Sequence, residues 1–537
     1  MIGKFSRAAT ALSILATSAW AETLSPAIPK FEEVTKTSGV SSVYSGDYLY
    51  MVGGGAATFD CNKDGYPDLF TAGGEGRASF FRNRSKQGGA LSFKKQKSGL
   101  EFDKVTGAYP LDIDADGNVD LVVLRVGENK VMRGLGNCKF EVANTRWGFD
   151  GGNAWSTAFA ATFEKGAVWP TLAIGNYIDP KEEASPWGSC TENWLHRARF
   201  EQKKPPYAFT KPILLTPSYC ALSMLFTDWN RSGTPSLRVS NDREYYEGGE
   251  EQMWKLTPGE APALYTDKEG WKRLRIWGMG IASADVNGDT FPDYFLTSMA
   301  DNKLQMLKEV KTDGTSKADF KDVAWPSGVT LHRPTFGDDL KNSTGWHAQF
   351  EDVNNDGPWD LFVAKGNVDA MPDFAMKDPN NLALGKGDGT FIDVAKEAGV
   401  ASTKIARGGM VVDFNLDGLM DIVVVNRRSP VQVWRNVSKG LGHWLQVSLE
   451  DAGANRNGIG AWIEVKRGDD VTRREITSGG GHASGHLGWW HFGLGTAESA
   501  AVRVLWPDGS QGPWQQVKAD EFYRLGRGAE PKAWQPE

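Results

Sequence analysis

The sequence predicts an all-β fold: a seven-bladed β-propeller closed by its N-terminal strand, followed by a small C-terminal antiparallel β-sandwich-like domain. Two repeats lead to this prediction. An Asp-rich loop between short apolar strands occurs seven times, and a ten-residue motif that begins with Phe occurs three times. The Asp loops start about 50 to 67 residues apart, and a fixed period of this size indicates an array of equal units.

The Asp loops follow the pattern Asp-x-Asn/Asp-x-Asp-Gly-x-x-Asp, and the β-branched and aromatic runs on both sides predict strands. Two worn copies, Thr162-Glu164 and Asp228-Asn230-Ser232-Ser236, lie between the second and third full copies. The full copies supply Asp60, Asn62, Asp64 and Asp68; Asp112, Asp114, Asp116 and Asp120; Asp285, Asn287, Asp289 and Asp293; Asp352, Asn354, Asp356 and Asp360; and Asp413, Asn415, Asp417 and Asp421.

This spacing of oxygen-bearing side chains predicts multiple calcium sites. Side chains at positions 1, 3, 5 and 9, with the carbonyl at position 7, can supply the six to eight oxygens that Ca²⁺ prefers. An EF-hand is excluded because it needs a Glu at position 12, where these loops have Thr71, Val123, Leu296, Val363 and Val424. The alternative interpretation is a set of acidic turns in a β-protein, and for the two worn copies that interpretation is the favoured one.

The Phe motif predicts how the propeller closes. Phe320–Val329 and Phe391–Val400 each precede a strand that leads into an Asp loop, whereas Phe31–Val40 has no unit before it. The seventh unit shows three strands, near 409–436, and no Phe motif after them. We therefore expect the N-terminal copy to supply its fourth strand, in a fold that leaves only short, protected edges.

The strand pattern changes after a small-residue junction at Ser438–Gly442. Alternating segments from there on predict a compact antiparallel domain at about 441–527, ending in a 528–537 tail. Because the region has no Asp loop, we expect it to fold by itself and to be insensitive to calcium. The competing interpretation is an eighth blade.

At this point the chain resembles a known family. Its loops resemble the FG-GAP/VCBS-like repeats of integrin α-subunit propellers and many bacterial secreted proteins. Four C-terminal segments resemble the ASPIC/UnbV domain, in order: Asn457–Ala461, Thr477–Gly481, His491–Gly495 and Trp506–Gly509. The pairing is similar to that of the cartilage-acidic-protein-1-like family. This resemblance implies a calcium-binding extracytoplasmic propeller, and it implies no reaction because one fold hosts many functions.

The N-terminus predicts export to the periplasm or the extracellular medium. Residues 1–21 combine Lys4 and Arg7, an apolar stretch and a small-residue cleavage site, which is typical of a signal peptide. The propeller would then span 22–440. A net charge of −7 argues against nucleic acid as a partner, and after the leader no apolar run is long enough for membrane insertion. The oligomeric state stays open.

Export permits disulfides, and the chain has four cysteines, which allow three connectivities. Cys190 and Cys220 flank a Pro- and Lys-rich stretch within an insertion at about 178–220, so we favour a bond between them. Cys61 and Cys138 would pair only by elimination. Buried free thiols are the alternative for all four.

Two further groups of residues are candidate sites. Asn241, Asp242, Arg243, Tyr245 and Tyr246 lie in the worn fourth unit, where Arg beside carboxamides and aromatics would suit a sugar or carboxylate. The favoured alternative is an Asp–Arg pair that caps a turn. His482, His486 and His491 could bind Zn or Cu, but turn histidines satisfied by local partners are favoured.

These observations leave three functional hypotheses. The leading one is a non-enzymatic, calcium-stabilised propeller that binds a protein or carbohydrate partner. The second is a lyase or hydrolase that acts on carbohydrate from the propeller face, with catalytic residues unknown. The third is a periplasmic transition-metal-handling protein that uses the C-terminal histidines.

Overall fold

The computed structural model of this chain describes residues 26–179, 181, 189–199, 207–243, 249–311 and 313–536. In this part of the chain the fold is all-β, as the sequence predicts, and the two α-helices have four residues each. None of its helices is long and apolar enough to cross a membrane. The predicted signal peptide lies outside the described residues.

Seven units of antiparallel strands follow one another along the chain. The first comprises β2 (Ala56–Phe59), β3 (Asp68–Thr71), β4 (Ser79–Asn83) and β5 (Phe93–Lys95), and is preceded by β1 (Phe31–Glu33), α1 (Thr35–Ser38) and a 3-10 turn at Tyr48–Tyr50. Units 2 and 3 comprise β6 (Val105–Leu111), β7 (Asp120–Gly127), β8 (Lys130–Gly134) and β9 (Phe140–Val142), then β10 (Ala154–Thr162), β11 (Thr171–Asn176), β12 (Asn193–His196) and β13 (Ile213–Leu215). Unit 4 comprises β14 (Ala221–Thr227), β15 (Ser236–Asn241), β16 (Gln252–Lys255) and β17 (Ala263–Leu264), with a 3-10 turn at Asp267–Glu269 after it.

The last three units continue this arrangement. Units 5 and 6 comprise β18 (Gly278–Ala284), β19 (Asp293–Ser298), β20 (Lys303–Leu307) and β21 (Phe320–Asp322), then β22 (Gly345–Glu351), β23 (Asp360–Lys365), β24 (Asn381–Gly385) and β25 (Phe391–Asp393). After α2 (Ala395–Ala398), unit 7 comprises β26 (Ala406–Val412), β27 (Asp421–Asn426) and β28 (Gln432–Asn436). In every unit the strands pair with their neighbours in chain order.

Unit 7 has three strands of its own, and β1 provides the fourth. The two strands pair antiparallel, with Phe31 opposite Asn436 and Glu33 opposite Trp434. This is the place that the sequence predicts for the N-terminal Phe motif. The first strand of each unit contacts the first strand of the next, and β26 also contacts β2 of unit 1, so these contacts return to their starting point.

A close backbone contact repeats between neighbouring units. A Cβ on Gly399, after the fourth strand of unit 6, would lie 2.9 Å from the Phe31 carbonyl oxygen, and a Cβ on Gly39 would lie 2.2 Å from that of Phe93. Only glycine fits so near another backbone, which explains why the Phe motifs share Gly-Val at their ends. Phe31 therefore occupies the place in unit 7 that Phe93 occupies in unit 1.

The remaining strands form a C-terminal module (residues 443–534). They are β29 (His443–Leu449), β30 (Trp462–Arg467), β31 (Asp470–Glu475), β32 (Ser478–Gly479), β33 (Gly485–Leu487), β34 (Trp490–Gly495), β35 (Ser499–Leu505), β36 (Gln515–Lys518), β37 (Glu521–Leu525) and β38 (Lys532–Trp534). Eight of them form two four-stranded sheets, ordered β34-β29-β37-β38 and β31-β30-β35-β36. The core between these sheets is continuous with the apolar core of units 5 and 6.

Two boundaries differ from the sequence-based expectation. The stretch 178–220, expected to be an insertion, contains β12 and β13, which are the outer strands of unit 3. The expected 528–537 tail contains β38, which pairs with β37. The strands β12, β13 and β38 are three or four residues long, which is too short for alternation to be visible in the sequence.

All four cysteines are in disulfides. Cys190 is bonded to Cys220, as predicted, and Cys61 is bonded to Cys138. The second bond joins the Asp loop of unit 1 to the turn before β9 of unit 2, so it ties two neighbouring units together. Stable disulfides are typical of oxidising compartments, which is consistent with an extracellular protein.

We expect Phe31→Ala to lower the free energy of unfolding by about 3 kcal/mol, because it removes a buried aromatic ring from the strand that completes unit 7. Glu32→Ala, at the neighbouring exposed position of the same strand, is the control and should change stability by less than about 0.5 kcal/mol. Urea denaturation of the two variants measures both effects. Equal stability of both variants would contradict the structural role of β1.

Candidate functional site: the Asp loops and the C-terminal module

The five full Asp loops occupy the same place in their units. In each, the first Asp directly follows the first strand, and the ninth-position Asp is the first residue of the second strand. The loops connect equivalent strands, so all five lie at the same end of their units. The side chains predicted to bind calcium therefore lie along one edge of the fold.

The Asp at position 9 ties three segments of its unit together. Asp68 Oδ2 accepts the Cys61 N–H at 3.1 Å, and its Oδ1 accepts the Asn83 N–H from β4 at 2.8 Å. Asp120 repeats both contacts in unit 2. Burial raises the pKa of both carboxyl groups well above their usual range, so the ionised form depends on these donors and on any nearby cation.

The Asp at position 1 closes the loop by accepting the N–H of position 6. This distance is 2.7 Å from Gly65 to Asp60 and 2.8 Å from Gly418 to Asp413. Position 6 has φ between 79° and 108° in the four loops with glycine there. The loop of unit 5 departs from the pattern, because Thr290 stands at position 6 and adopts φ 82°, a conformation that is costly for a β-branched residue.

The loops fit a hard divalent cation. Oxygens of Asp112, Asp114 and Asp116 lie within 4.8 Å of one another. Among the described residues, four buried oxygens of the full loops have no hydrogen-bond partner: Asp112 Oδ1, Asp285 Oδ1, Asp356 Oδ1 and Asn415 Oδ1; the worn loop of unit 4 has one, Asn230 Oδ1. Burial, assisted by neighbouring carboxylates, raises the pKa of Asp112 to about 6 and that of Asp413 to about 7. Unpaired oxygens and crowded carboxylates are what calcium would neutralise.

The two worn loops use the protein's own cations. In unit 3, Arg197 donates from Nε and Nη2 to Glu164 at 2.6 and 2.9 Å, within a buried pair. The strand pairing places Phe163 at position 1 of this loop and Thr171 at position 9. The worn loop therefore begins one residue later than the sequence-based interpretation, which began it at Thr162. In unit 4, Arg231 stands at position 4 and reaches Glu464 of the C-terminal module at 3.3 Å.

The C-terminal module rests on this edge. Its residues contact loops of six units, and the sequence did not predict these contacts. They are Trp489 Nε1 to Gly65 O, Arg456 to Asp112, Glu475 to the Asp228 N–H, Arg473 to Asp285, His491 to Asn355, and Gln446 to Asp413. The one indication of such contacts in the sequence was Arg231, an arginine within the worn loop of unit 4.

An inserted segment (residues 477–489) leaves the module and lies among the first strands of the units. Its β32 pairs with β10 and its β33 pairs with β2. Between these strands, Gly480 donates to Met224 O, and bridges join Gly481 to Ile281 and Ser484 to Ala108. His347 and Gly408 add contacts from units 6 and 7. All seven units therefore contact this segment.

The three C-terminal histidines have separate partners. His482 Nε2 accepts the Gly53 N–H at 3.0 Å, while the two nitrogens of His486 contact Thr58 Oγ1 and Trp489 O. His491 contacts Asn355 at 2.8 Å. Burial lowers the pKa of His482 and His491 to about 3 and that of His486 to about 4. The partners Gly53, Thr58 and Asn355 are distant in sequence, so these neutral rings join the C-terminal module to units 1 and 6.

The candidate ligand residues of unit 4 are mostly internal. Asp242 is buried and accepts from Tyr177 Oη, and Arg243 lies 3.6 Å from it. Asn241 donates to Glu250 O at 2.8 Å. Tyr245 and Tyr246 lie outside the described residues. Asp242 and Arg243 both contact Tyr177, so these residues make internal contacts, and the turn-capping interpretation stays a prediction.

Comparison with known proteins supports the assignment from the motifs. Residues 60–123 and 352–424 match the FG-GAP-like repeat, and residues 451–532 match the ASPIC and UnbV domain. The chain carries FG-GAP-like repeats and an ASPIC and UnbV domain. Cartilage acidic protein 1 from Mus musculus is 33% identical over 240 residues, and that from Homo sapiens is 26% identical over 240 residues. These matches cover 43% of this chain and about a third of each relative (34% and 33%).

The ASPIC and UnbV domain corresponds to the C-terminal module and includes the whole inserted segment. One solved structure with a similar path of the chain is an Agrocybe aegerita lectin that recognises terminal N-acetylglucosamine (TM-score 0.39, 15% identity, 71% of this chain and 93% of that chain). Another is rhamnogalacturonan lyase YesW (TM-score 0.37, 10% identity, 75% of this chain and 75% of that chain). Likeness at this level carries no argument about function.

We expect Thr290→Gly to raise the free energy of unfolding by about 1 kcal/mol, because glycine adopts positive φ without steric cost. The reverse change at the equivalent position, Gly117→Thr, is the matched control and should destabilise the protein by a similar amount. Thermal melts of the two variants under identical conditions test the pair. A loss of stability in Thr290→Gly would contradict the strain at this loop.

Proposed function

We propose that this protein is an exported, calcium-binding, seven-bladed β-propeller that binds a protein or glycan partner on its outer surface. The observation that carries the calcium proposal is the set of five equivalent loops, four of which have a buried side-chain oxygen without a hydrogen-bond partner. The seven units would be the blades, β1 would close the ring, and the C-terminal module would be a second, sandwich-like domain.

The worn loops support the calcium proposal by contrast. Where the carboxylate set is incomplete, a guanidinium of the protein pairs with an acid at the loop, as Arg197 does with Glu164. The full loops gather several carboxylates around position 1, and arginines reach only some of them, such as Arg133 at 2.7 Å from both Asp114 and Asp116. A bound divalent cation would complete their charge balance.

The inserted segment favours a binder over an enzyme. A lyase or hydrolase of this fold would need a deep funnel with convergent ionisable groups, and residues 477–489 fill the centre where the first strands meet. The partner would therefore bind outside the centre. The third hypothesis, a transition-metal protein, is less favoured because each C-terminal histidine contacts a different group of the protein.

We expect calcium to bind at five sites per chain and to raise the melting temperature, with chelation by EDTA reversing the effect. Extracellular calcium modules bind with Kd of about 10⁻⁴ to 10⁻³ M, and saturation at 100 times Kd stabilises by about 2.7 kcal/mol per site. Equilibrium dialysis with atomic emission counts the ions.

The matched variants for this experiment are Asp112→Asn, in a full loop, and Asp228→Asn, in a worn loop. The first should reduce the stoichiometry by one, and the second should leave it unchanged. A melting curve that is the same in calcium and in EDTA, or a loss of one ion in Asp228→Asn, would contradict the proposal.

We also expect calcium removal to loosen the C-terminal module, which reverses the sequence-based expectation that it is insensitive to calcium. The reason is that the module contacts loops of six units, including Gln446 on Asp413. In limited trypsin digestion, cleavage after the exposed Lys439 should become faster in EDTA. Cleavage after the exposed Lys268, in unit 4 where no calcium is proposed, is the control, and equal acceleration at both would indicate general unfolding instead.

A further inference from the structure

The worn loops of units 3 and 4 border an open interdomain cleft of about 470 Å³. Its floor is formed by both worn loops, including Ala167 and Asp228, and its opposite wall by the C-terminal module, including Trp462 and Asp508. This volume lies in the range of small-molecule sites, which are commonly found between domains. The two units that have lost the metal pattern are thus the two that face the cleft.

Apart from Lys165, which is exposed to solvent, the charged groups around the cleft already have partners. Glu164 is paired with Arg197, and Arg527 lies 2.9 Å from Asp508 and 3.3 Å from Asp451. Asp228 accepts the N–H groups of its own loop, from Ser232 and Gly233 at 2.9 and 2.8 Å. A ligand here therefore needs neither to neutralise a cation nor to replace one, and this favours a neutral ligand over an ion.

One buried donor in the cleft has no partner. Trp462 is 2% exposed and lines the cleft, and among the described residues its indole Nε1 makes no hydrogen bond. Its ring is covered on one side by the Arg231 guanidinium at 4.2 Å. An unsatisfied buried N–H is costly, so an acceptor on a bound ligand would offset that cost.

The rest of the lining combines apolar surface with a polar acceptor, which is the combination that sugars require. Phe163, Leu505 and Trp506 give the wall apolar surface, and the Asp508 carboxylate, 57% exposed, offers an acceptor at the rim. A neutral saccharide presents C–H faces to apolar walls and hydroxyl groups that both donate and accept. Simple apolar ligands would leave the indole N–H unpaired, and a peptide would bring more charge than the cleft can balance.

We propose that this cleft is a binding site for a neutral mono- or disaccharide, with a hydroxyl oxygen accepting from Trp462 Nε1 and a hydroxyl group donating to Asp508. This deepens the proposed function by naming the partner class and the site. Catalysis is not part of the proposal, because the cleft's acids are each engaged by their own cation or N–H group.

The test uses the full calcium-loaded chain, screened on an array of neutral and acidic mono- and disaccharides, with hits measured by titration calorimetry. Ala167→Trp, which places an indole inside the cleft, should weaken binding at least tenfold. Ala90→Trp, at an exposed position in the β4–β5 connection of unit 1, is the matched control and should bind within twofold of wild type.

A second variant keeps the test decisive if Ala167→Trp disturbs folding. Trp462→Phe keeps an aromatic ring and removes the N–H, and should weaken binding by about 3- to 10-fold. Binding by acidic sugars only, binding unaffected by either cleft variant, or no binding by any saccharide would each overturn the site. The calcium stoichiometry is measured on the same samples, so loss of the saccharide result with five bound ions would leave the proposed calcium function intact.

Discussion

The structure depends on how carboxylates are held inside it. The position-9 aspartates are almost wholly buried, and each accepts an N–H from its own loop, with a second from the third strand in four of the five full loops. A buried charge is costly unless it is paired and hydrogen-bonded. Each of these four units therefore gains a link between its Asp loop and its third strand, and the buried carboxylate creates a need for positive charge at the same point.

The need to balance these buried carboxylates accounts for the arrangement of the C-terminal module. Its arginines, Arg456, Arg467 and Arg473, lie against the Asp loops of units 2, 6 and 5. In the worn units the direction is reversed, because Arg231 of the loop reaches the module's Glu464. Contacts between opposite charges therefore join the module to units 2, 4, 5 and 6, so the loops serve both as proposed metal sites and as the surface on which the second set of sheets packs.

Much of the repeating fold could be predicted from the sequence, because local patterns determine it. The Asp loops, the strands around them and the closing role of Phe31 all follow from period, spacing and the Gly-Val end of the Phe motif. The bond between Cys190 and Cys220 followed from their position around one stretch. These features could be predicted because each depends on residues that are close in sequence or on repeats that can be compared with one another.

The rest depends on contacts between distant segments that carry no repeat. Nothing in the Gly- and His-containing stretch 477–489 indicates that it would lie among the first strands of all seven units. The pairing of Arg197 with Glu164, 33 residues away, is equally invisible, and so is the cleft, which exists only where the module faces two worn loops. The candidate residues Asn241–Arg243 illustrate the converse, since a polar pattern typical of a ligand site is used for internal contacts.

The inserted segment has a consequence for biosynthesis. Its residues come from the last eighth of the chain, whereas the groups that they satisfy, such as the N–H groups of Gly53 and Ala56, are made first. During synthesis the inner strand edges of every unit therefore lack this partner until residues 477–489 have been made. A chain released early would expose those edges, and strand edges are templates for aggregation. Only a polypeptide that extends through residue 489 can therefore cover the centre of the fold.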